Sequence, residues 1–138
     1  MIWLPIEYPS QNKYINQERI KLRGKRHGTM GSIMRKKLID ETYWLLKSGK
    51  NKPIKTPCKL RFTWYMKDRK KDVDNIAYAK KFILDAMVNA NIIPNDTFRY
   101  IKGFIDDFKV IDNVHKEIGV MIERIEVDEK IKYVKNNK

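Results

Sequence analysis

The strongest constraint on the fold is a strand-like segment that passes, after a short polar stretch, into a helix-like one. Residues 59–66 alternate between polar and apolar, which is typical of a strand with one buried face. Its apolar side consists of Leu60, Phe62, Trp64 and Met66. Residues 75–90 repeat their apolar positions at about 100° per residue, the period of a helix that packs on a core. This apolar stripe consists of Ile76, Ala79, Ile83, Ala86, Met87 and Ala90.

Weaker patterns predict three further strands, over residues 1–8, 100–105 and 118–127. The strand over 100–105 is expected to continue over residues 109–111 after a break at Asp106 and Asp107. In the strand over 118–127 the apolar parity changes, which indicates a bulge near Glu123 and Arg124.

A second helix is predicted over residues 32–47, because Ser32 can cap its start and Ser48 and Gly49 can end it. Residues 9–31 are polar and basic and are predicted to form a loop. We therefore expect an α/β fold of the α+β type, a small mixed β-sheet of about four strands packed with two main helices. Residues 1–129 are expected to form one domain, and residues 130–138 a basic, flexible tail.

The charge of the chain indicates the class of its partner. The chain has 30 Lys and Arg residues against 17 Asp and Glu residues, a formal net charge of +13. Its longest apolar runs are too short to span a bilayer. A polyanion is the expected partner, and nucleic acid is favoured over a membrane surface, because no segment opposes a Lys/Arg face to a broad apolar face.

Cys58 is the only cysteine, which excludes an intrachain disulfide and a cysteine-based zinc site. A lone thiol at the start of a strand is usually a small buried hydrophobe. The first residues lack the basic and long apolar regions of a signal peptide. We therefore expect a cytoplasmic protein in a reducing compartment.

The chemistry is expected at three acidic residues in this basic chain: Asp72, Asp74 and Asp96. Asp72 and Asp74 directly follow a cluster of four cations, Lys67, Arg69, Lys70 and Lys71. Cations attract phosphate, and grouped carboxylates hold a divalent metal that activates water, so this combination is typical of a nuclease. Mg²⁺ is the expected metal, since it prefers hard oxygen ligands. The structural alternatives are a helix N-cap for Asp74 and a turn residue for Asp96.

The basic segment over residues 9–31 has two interpretations as well. Its cations are Lys13, Arg19, Lys21, Arg23, Lys25 and Arg26, against a single acidic residue, Glu18. It is either a solvated loop or an arm that contacts DNA. Lys81, similarly, could pair with Asp85 one helical turn later or lean toward phosphate.

These residues together resemble the RusA family of Holliday-junction resolvases, the crossover junction endodeoxyribonucleases. The resemblance lies in the basic run, in the segment Asp72-Val73-Asp74-Asn75, in Lys81 followed by Asp85-Ala86, and in Asn95-Asp96 after a short linker. It covers residues 67–103 closely. In the family pattern a helix lysine follows the second Asp by about one turn, but this chain has Tyr78 at that spacing from Asp74. If the segments are aligned on Asp85-Ala86 instead, Lys81 corresponds to the family's lysine.

The resemblance implies a homodimeric endonuclease that binds four-way DNA junctions and nicks two opposing strands symmetrically, with Mg²⁺ or Mn²⁺. Asp72, Asp74 and Asp96 would be its metal-binding catalytic carboxylates, and Lys81 would act at the scissile phosphate. From the charge pattern described above, the residues expected to contact DNA are Lys13, Arg19, Arg23, Lys25, Arg26, Lys67, Arg69, Lys70 and Lys71. Such proteins act in DNA recombination and repair in bacteria, and they are often carried by phages or prophages.

Two alternatives stay open at this point. A metal-dependent nuclease of broader specificity, acting on branched or flap DNA, would use the same residues. A non-catalytic basic protein that binds nucleic acid would explain the charge, but it gives no reason for Asp72 and Asp74 beside Lys70 and Lys71.

Overall fold

The computed structural model describes residues 1–20 and 29–127, and in this part of the chain four strands form one sheet. The strands are β1 (Ile2–Leu4), β2 (Cys58–Met66), β3 (Ile101–Val110) and β4 (Gly119–Ile125). The helices are α1 (Gln11–Glu18), α2 (Met30–Ser48), the short α3 (Val73–Ala77) and α4 (Lys80–Asn89). This confirms the predicted small α+β fold with a four-stranded mixed sheet.

The order of the strands in the sheet is β1-β4-β2-β3. β4 is antiparallel to both of its neighbours, whereas β2 and β3 are parallel. Cys58 at the start of β2 pairs with Ile101, and Met66 at its end pairs with Val110. A parallel pair needs a crossover connection, and here α3 and α4 carry the chain back from the end of β2 to the start of β3.

The core lies between the sheet and the helices, as the two apolar patterns predict. Leu60, Phe62 and Trp64 of β2 are buried, and so are Ile83 and Met87 of α4. Burial of each such side chain contributes roughly 1.5–3 kcal/mol. Cys58 is also fully buried and unpaired, which confirms that it is a small core residue.

The predicted helix over residues 75–90 is interrupted, which corrects that prediction. α3 ends at Ala77 with Tyr78 as its C-cap, and α4 begins at Lys80 with Ala79 as its N-cap. There, Ala79 N–H donates to Ile76 and Phe82 N–H donates to Ala79, bonds that span three residues rather than four and tighten the turn. The apolar stripe continues across this break, so its period gave no sign of it.

The predicted loop over residues 9–31 contains a helix, α1, which corrects a second prediction. Ser10 caps α1, because its hydroxyl accepts from Lys13 N–H. Tyr14 is buried, with its ring 5.4 Å from Phe82 and 5.7 Å from Tyr78 between centroids. A mostly polar helix held by one aromatic anchor has no strong apolar period. α2 begins a few residues earlier than predicted, because Thr29 and Ser32 form a reciprocal capping box.

Two predicted irregularities in the strands are wrong. β3 continues through Asp106 and Asp107, because both carboxylates have partners on β2 or α4. β4 stays in register with β2 from Gly119 to Ile125, without the predicted bulge. Among residues 1–20 and 29–127, no helix is both long and apolar enough to cross a membrane.

Candidate metal site and surrounding cations

Asp72 and Asp74 lie together at the start of α3, where the chain leaves the sheet. Asp72 occupies the N-cap position, but its side chain makes no capping hydrogen bond. Asp74 lies in the first turn, and its Oδ1 accepts from the backbone N–H of Asn75 at 2.9 Å. Both residues are exposed. The N-cap position is therefore occupied by Asp72 rather than Asp74. Because the Asp72 side chain makes no capping hydrogen bond, its carboxylate is available for a ligand.

Asp96 lies at the other end of the sheet. It follows α4 in an exposed turn, where its N–H donates to Asn95 Oδ1 at 2.8 Å, and β3 begins soon afterwards at Ile101. Since β2 and β3 start at the same end, Asp96 lies near the beginning of β2, whereas Asp72 follows the end of β2. β2 has nine residues, and the eight steps between them at about 3.3 Å each separate these ends by roughly 26 Å.

The structure thus brings Asp72 and Asp74 together but leaves Asp96 apart within one chain. Among residues 1–20 and 29–127 there is no group of three His, Cys, Asp or Glu residues that could hold a metal ion. Two carboxylates still suit Mg²⁺, which is commonly bound by one or two of them together with water and substrate phosphate. The acidic pair is a fitting partial site.

The two adjacent lysines of α4 have different environments. Lys80 is largely buried, and its Nζ lies 2.5 Å from Asp106 Oδ2. Trp64 Nε1 donates to the other oxygen of the same carboxylate at 3.0 Å. Lys81 is exposed, with its Nζ 5.0 Å from the Tyr78 ring centroid. Lys80 is therefore committed to a structural contact, and Lys81 is the lysine available to a phosphate.

Lys81 does not form the pair with Asp85 that its spacing allows. Asp85 instead binds Arg35 of α2, with Arg35 Nη2 2.7 Å from Asp85 Oδ2. This contact and the one between Lys80 and Asp106 join residues far apart in sequence. Neither contact has a local signature, so neither could be predicted from the sequence.

The predicted DNA-contacting cations that the structure describes are all exposed: Lys13, Arg19, Lys67, Arg69, Lys70 and Lys71. Lys71 Nζ lies 3.6 Å from Glu7 Oε1. For Lys67, Arg69 and Lys70 no carboxylate partner lies within ion-pair distance in the described part of the chain. Arg23, Lys25 and Arg26 lie outside the described residues.

Two grooves open on either side of Lys71. One, of about 680 Å³, is lined by residues that include Arg69, Lys71 and Val73. The other, of about 580 Å³, lies between α1 and α2, and Lys13 and Lys71 are among its lining residues. Asp72 stands between two residues that line the first groove, so a polyanion that followed the cations would pass the acidic pair.

No protein-family model matches this sequence, and no curated protein matches it either.

Proposed function

We propose that this chain is a Mg²⁺-dependent endodeoxyribonuclease that resolves four-way DNA junctions by paired symmetric nicks, as its resemblance to the RusA family implies. The observation that carries the proposal is the position of Asp72 and Asp74. Both carboxylates are exposed at one helix start, directly after four exposed cations. Carboxylates in such a position would repel a nucleic acid unless a metal ion bridged them to it.

In this proposal each group has a defined task. Lys67, Arg69 and Lys70 hold the phosphate backbone and release counterions, so binding should weaken steeply with salt. Asp72 and Asp74 hold the metal, for which Mn²⁺ can substitute. Bound Mg²⁺ would supply an activated water and stabilise charge on the phosphate. Lys81 donates to a phosphate oxygen and offsets charge that grows in the transition state.

The position of Asp96 supports a homodimer as the active form. One chain holds Asp96 about one strand length from the acidic pair, too far to share a metal ion. In a dimer whose twofold axis is perpendicular to the strands, the strands of the two subunits point in opposite directions. Asp96 of the partner subunit would then lie near the end of the sheet that carries Asp72 and Asp74. Two such sites match the near-twofold symmetry of a junction.

The same separation favours one rival, a basic protein that binds nucleic acid without cutting it. In that case Asp96 would be a turn residue and Asp72 a helix cap. Under either function the partner is a nucleic acid, which is DNA if the chain is a resolvase, and we propose that the protein acts in the cytoplasm of a bacterium or a phage-infected cell. A nuclease of broader branched or flap specificity differs from the resolvase only in its substrates.

The test is cleavage of a synthetic mobile four-way junction, with a linear duplex of the same sequence and a flap substrate as controls. The wild type should make paired symmetric nicks in the junction with Mg²⁺, and Asp74→Asn should bind but not cut. Asp40→Asn, which removes an exposed carboxylate on α2, is the matched control and should cut normally. Binding without cleavage in both Mg²⁺ and Mn²⁺ would favour the non-catalytic rival, and efficient flap cleavage the broader nuclease.

A further inference from the structure

A second surface combines exposed aromatic rings with cations. It is separate from the acidic pair and from the four cations at residues 67–71. It consists of Phe98, Arg99, Lys102 and Phe104, and we name it the aromatic edge. Phe98 is 73% exposed and Phe104 is 42% exposed. Phe98 precedes β3, and Phe104 lies within β3, one of the two edge strands of the sheet. Large aromatic side chains gain by burial, so a ring as exposed as Phe98, with cations next to it, indicates a surface that binds a partner.

The rings of the aromatic edge are held in place by neighbouring groups. The backbone N–H groups of Tyr100 and Ile101 both donate to Thr97 O at 2.9 Å, which closes the turn that carries Phe98. Lys102 Nζ lies 4.4 Å from the centroid of the Phe98 ring. Lys80 Nζ lies 4.6 Å from the centroid of Phe104. Each ring thus has a cation nearby and part of its surface open to solvent.

The cations of this surface have no acidic partner within the part of the chain that the structure describes. Arg99 and Lys102 form no ion pair with any carboxylate in residues 1–20 and 29–127. The Lys102 ammonium lies beside the Phe98 ring, and Arg99 is the next residue after Phe98. The Phe98 ring and two cations without an ion-pair partner in the described residues therefore lie in one short segment before and at the start of β3.

We propose that the aromatic edge binds the unpaired bases of a nucleic acid, with Phe98 as the stacking platform and with Arg99 and Lys102 on the adjoining phosphates. Every base has a flat π face, and sequence-tolerant single-strand sites combine aromatic platforms with a cationic path for the backbone. The inference shares with the proposed function the assumption that the ligand is DNA, but it does not depend on cleavage.

The ligand is an unpaired base rather than intact duplex, because a linear duplex stacks its base faces against one another and hides them. A branch point or a single strand exposes a base face that can stack on Phe98 instead. Phe98 is only two residues from Asp96, so the stacked base would lie close to the third predicted carboxylate. The aromatic edge would then add to the preference for branched DNA.

The experiment measures binding without cleavage, in EDTA, by fluorescence anisotropy on an oligothymidylate and on a linear duplex. Phe98→Ala should weaken binding to the oligothymidylate about 5- to 100-fold and change duplex binding less than about 2-fold. Phe98→Trp should retain binding, because it keeps a stacking surface. Trp44→Ala, which removes another exposed aromatic from α2, is the matched control and should bind as the wild type does. An oligonucleotide containing 2-aminopurine should lose fluorescence on binding to wild type and not to Phe98→Ala.

Two results would overturn the inference. One is single-strand binding by Phe98→Ala that equals the wild type. The other is a change of sedimentation from dimer to monomer in Phe98→Ala that reduces binding to both oligonucleotides equally, which would make the edge a contact between copies of the chain. Failure of the proposed function looks different, since wild type would then bind and stack single strands without cutting a junction in Mg²⁺.

Discussion

Lys80 Nζ and Asp106 Oδ2 lie 2.5 Å apart beneath α4, and this contact gives two adjacent lysines different environments. The Asp106 carboxylate also accepts from Trp64, so it ties the start of α4 to both β2 and β3. The Phe62 and Phe104 rings lie 5.5 Å and 4.6 Å from the Lys80 amine, between Nζ and the ring centroids. Lys80 is thus enclosed, whereas Lys81 faces solvent.

The two lysines should therefore respond differently to alanine substitution. Lys80→Ala leaves Asp106 with one hydrogen-bond partner in a half-buried position, and it should lower the free energy of unfolding by about 2 kcal/mol. Lys81→Ala should leave that free energy unchanged to within about 0.5 kcal/mol and reduce junction cleavage on the order of 100-fold. Urea unfolding and single-turnover cleavage measure the two effects, and each variant is the control for the other. An unfolding penalty at Lys81 with full cleavage would contradict the assignment.

The separation of Asp96 from Asp74 leads to a prediction about mixed dimers. Asp74→Asn and Asp96→Asn should each be inactive alone. If each site takes Asp74 from one subunit and Asp96 from the other, a mixed dimer has one intact site of two. Random pairing makes about half of the dimers mixed, so about a quarter of the sites should be restored.

The measurement is nicking of the junction after the two variants are unfolded together and refolded. Mixing Asp72→Asn with Asp74→Asn is the control and should restore nothing, because these two residues belong to the same half of a site. Absence of nicking in the Asp74→Asn and Asp96→Asn mixture, with an active wild type, would mean that Asp96 does not complete the site from a second copy.

Some structural features could be predicted from the sequence and others could not. The alternation over residues 59–66 and the stripe over residues 75–90 predict β2, α4 and their buried faces, because burial imposes those periods on a sequence. The same stripe does not show the break at Tyr78, since the apolar residues on both sides face one core. The ion pair of Lys80 with Asp106 depends on the parallel pairing of β2 with β3, which no local pattern encodes.

In the candidate site, too, one feature could be predicted from the sequence and another could not. The adjacency of Asp72 and Asp74 follows from two residues of spacing and could be predicted. The distance between Asp74 and Asp96 depends on the path of α4, which runs back to the start of β3 because β2 and β3 are parallel. The 22-residue spacing alone is also compatible with a loop that returns Asp96 to Asp74.

Thr42 and Tyr8 form a buried hydroxyl pair that should contribute measurably to stability. Their oxygens lie 2.6 Å apart, and Thr42 Oγ1 donates to Leu38 O at 2.7 Å. Because that bond uses the only hydroxyl proton of Thr42, Tyr8 must donate to Thr42. Burial raises the pKa of the Tyr8 phenol, so it keeps its proton at neutral pH.

Thr42→Val should therefore lower the free energy of unfolding by about 1–3 kcal/mol, since the Tyr8 hydroxyl loses its acceptor in a buried position. Adding Tyr8→Phe to Thr42→Val should recover part of this loss, because the unpaired hydroxyl is removed with little change of shape. Urea denaturation of wild type, both single variants and the double variant gives the coupling energy. A double variant whose loss equals the sum of the single losses would mean that the two hydroxyls do not interact.

Asp112 should make the turn between β3 and β4 sensitive to acid. Its Oδ1 accepts from the backbone N–H groups of His115 at 2.7 Å and Val114 at 2.8 Å, and these bonds lower its pKa below the ordinary value of 3.8. A carboxyl whose pKa is lower in the folded state stabilises the fold above its unfolded pKa and loses that contribution as pH falls through the folded pKa.

Asp112→Asn keeps an acceptor oxygen but cannot titrate. The difference in free energy of unfolding between wild type and Asp112→Asn should thus be constant near neutral pH and shrink below about pH 3.8. Urea titrations across that range, with Asp40→Asn as an exposed control, measure it, and a difference that grows as the pH falls would contradict the prediction.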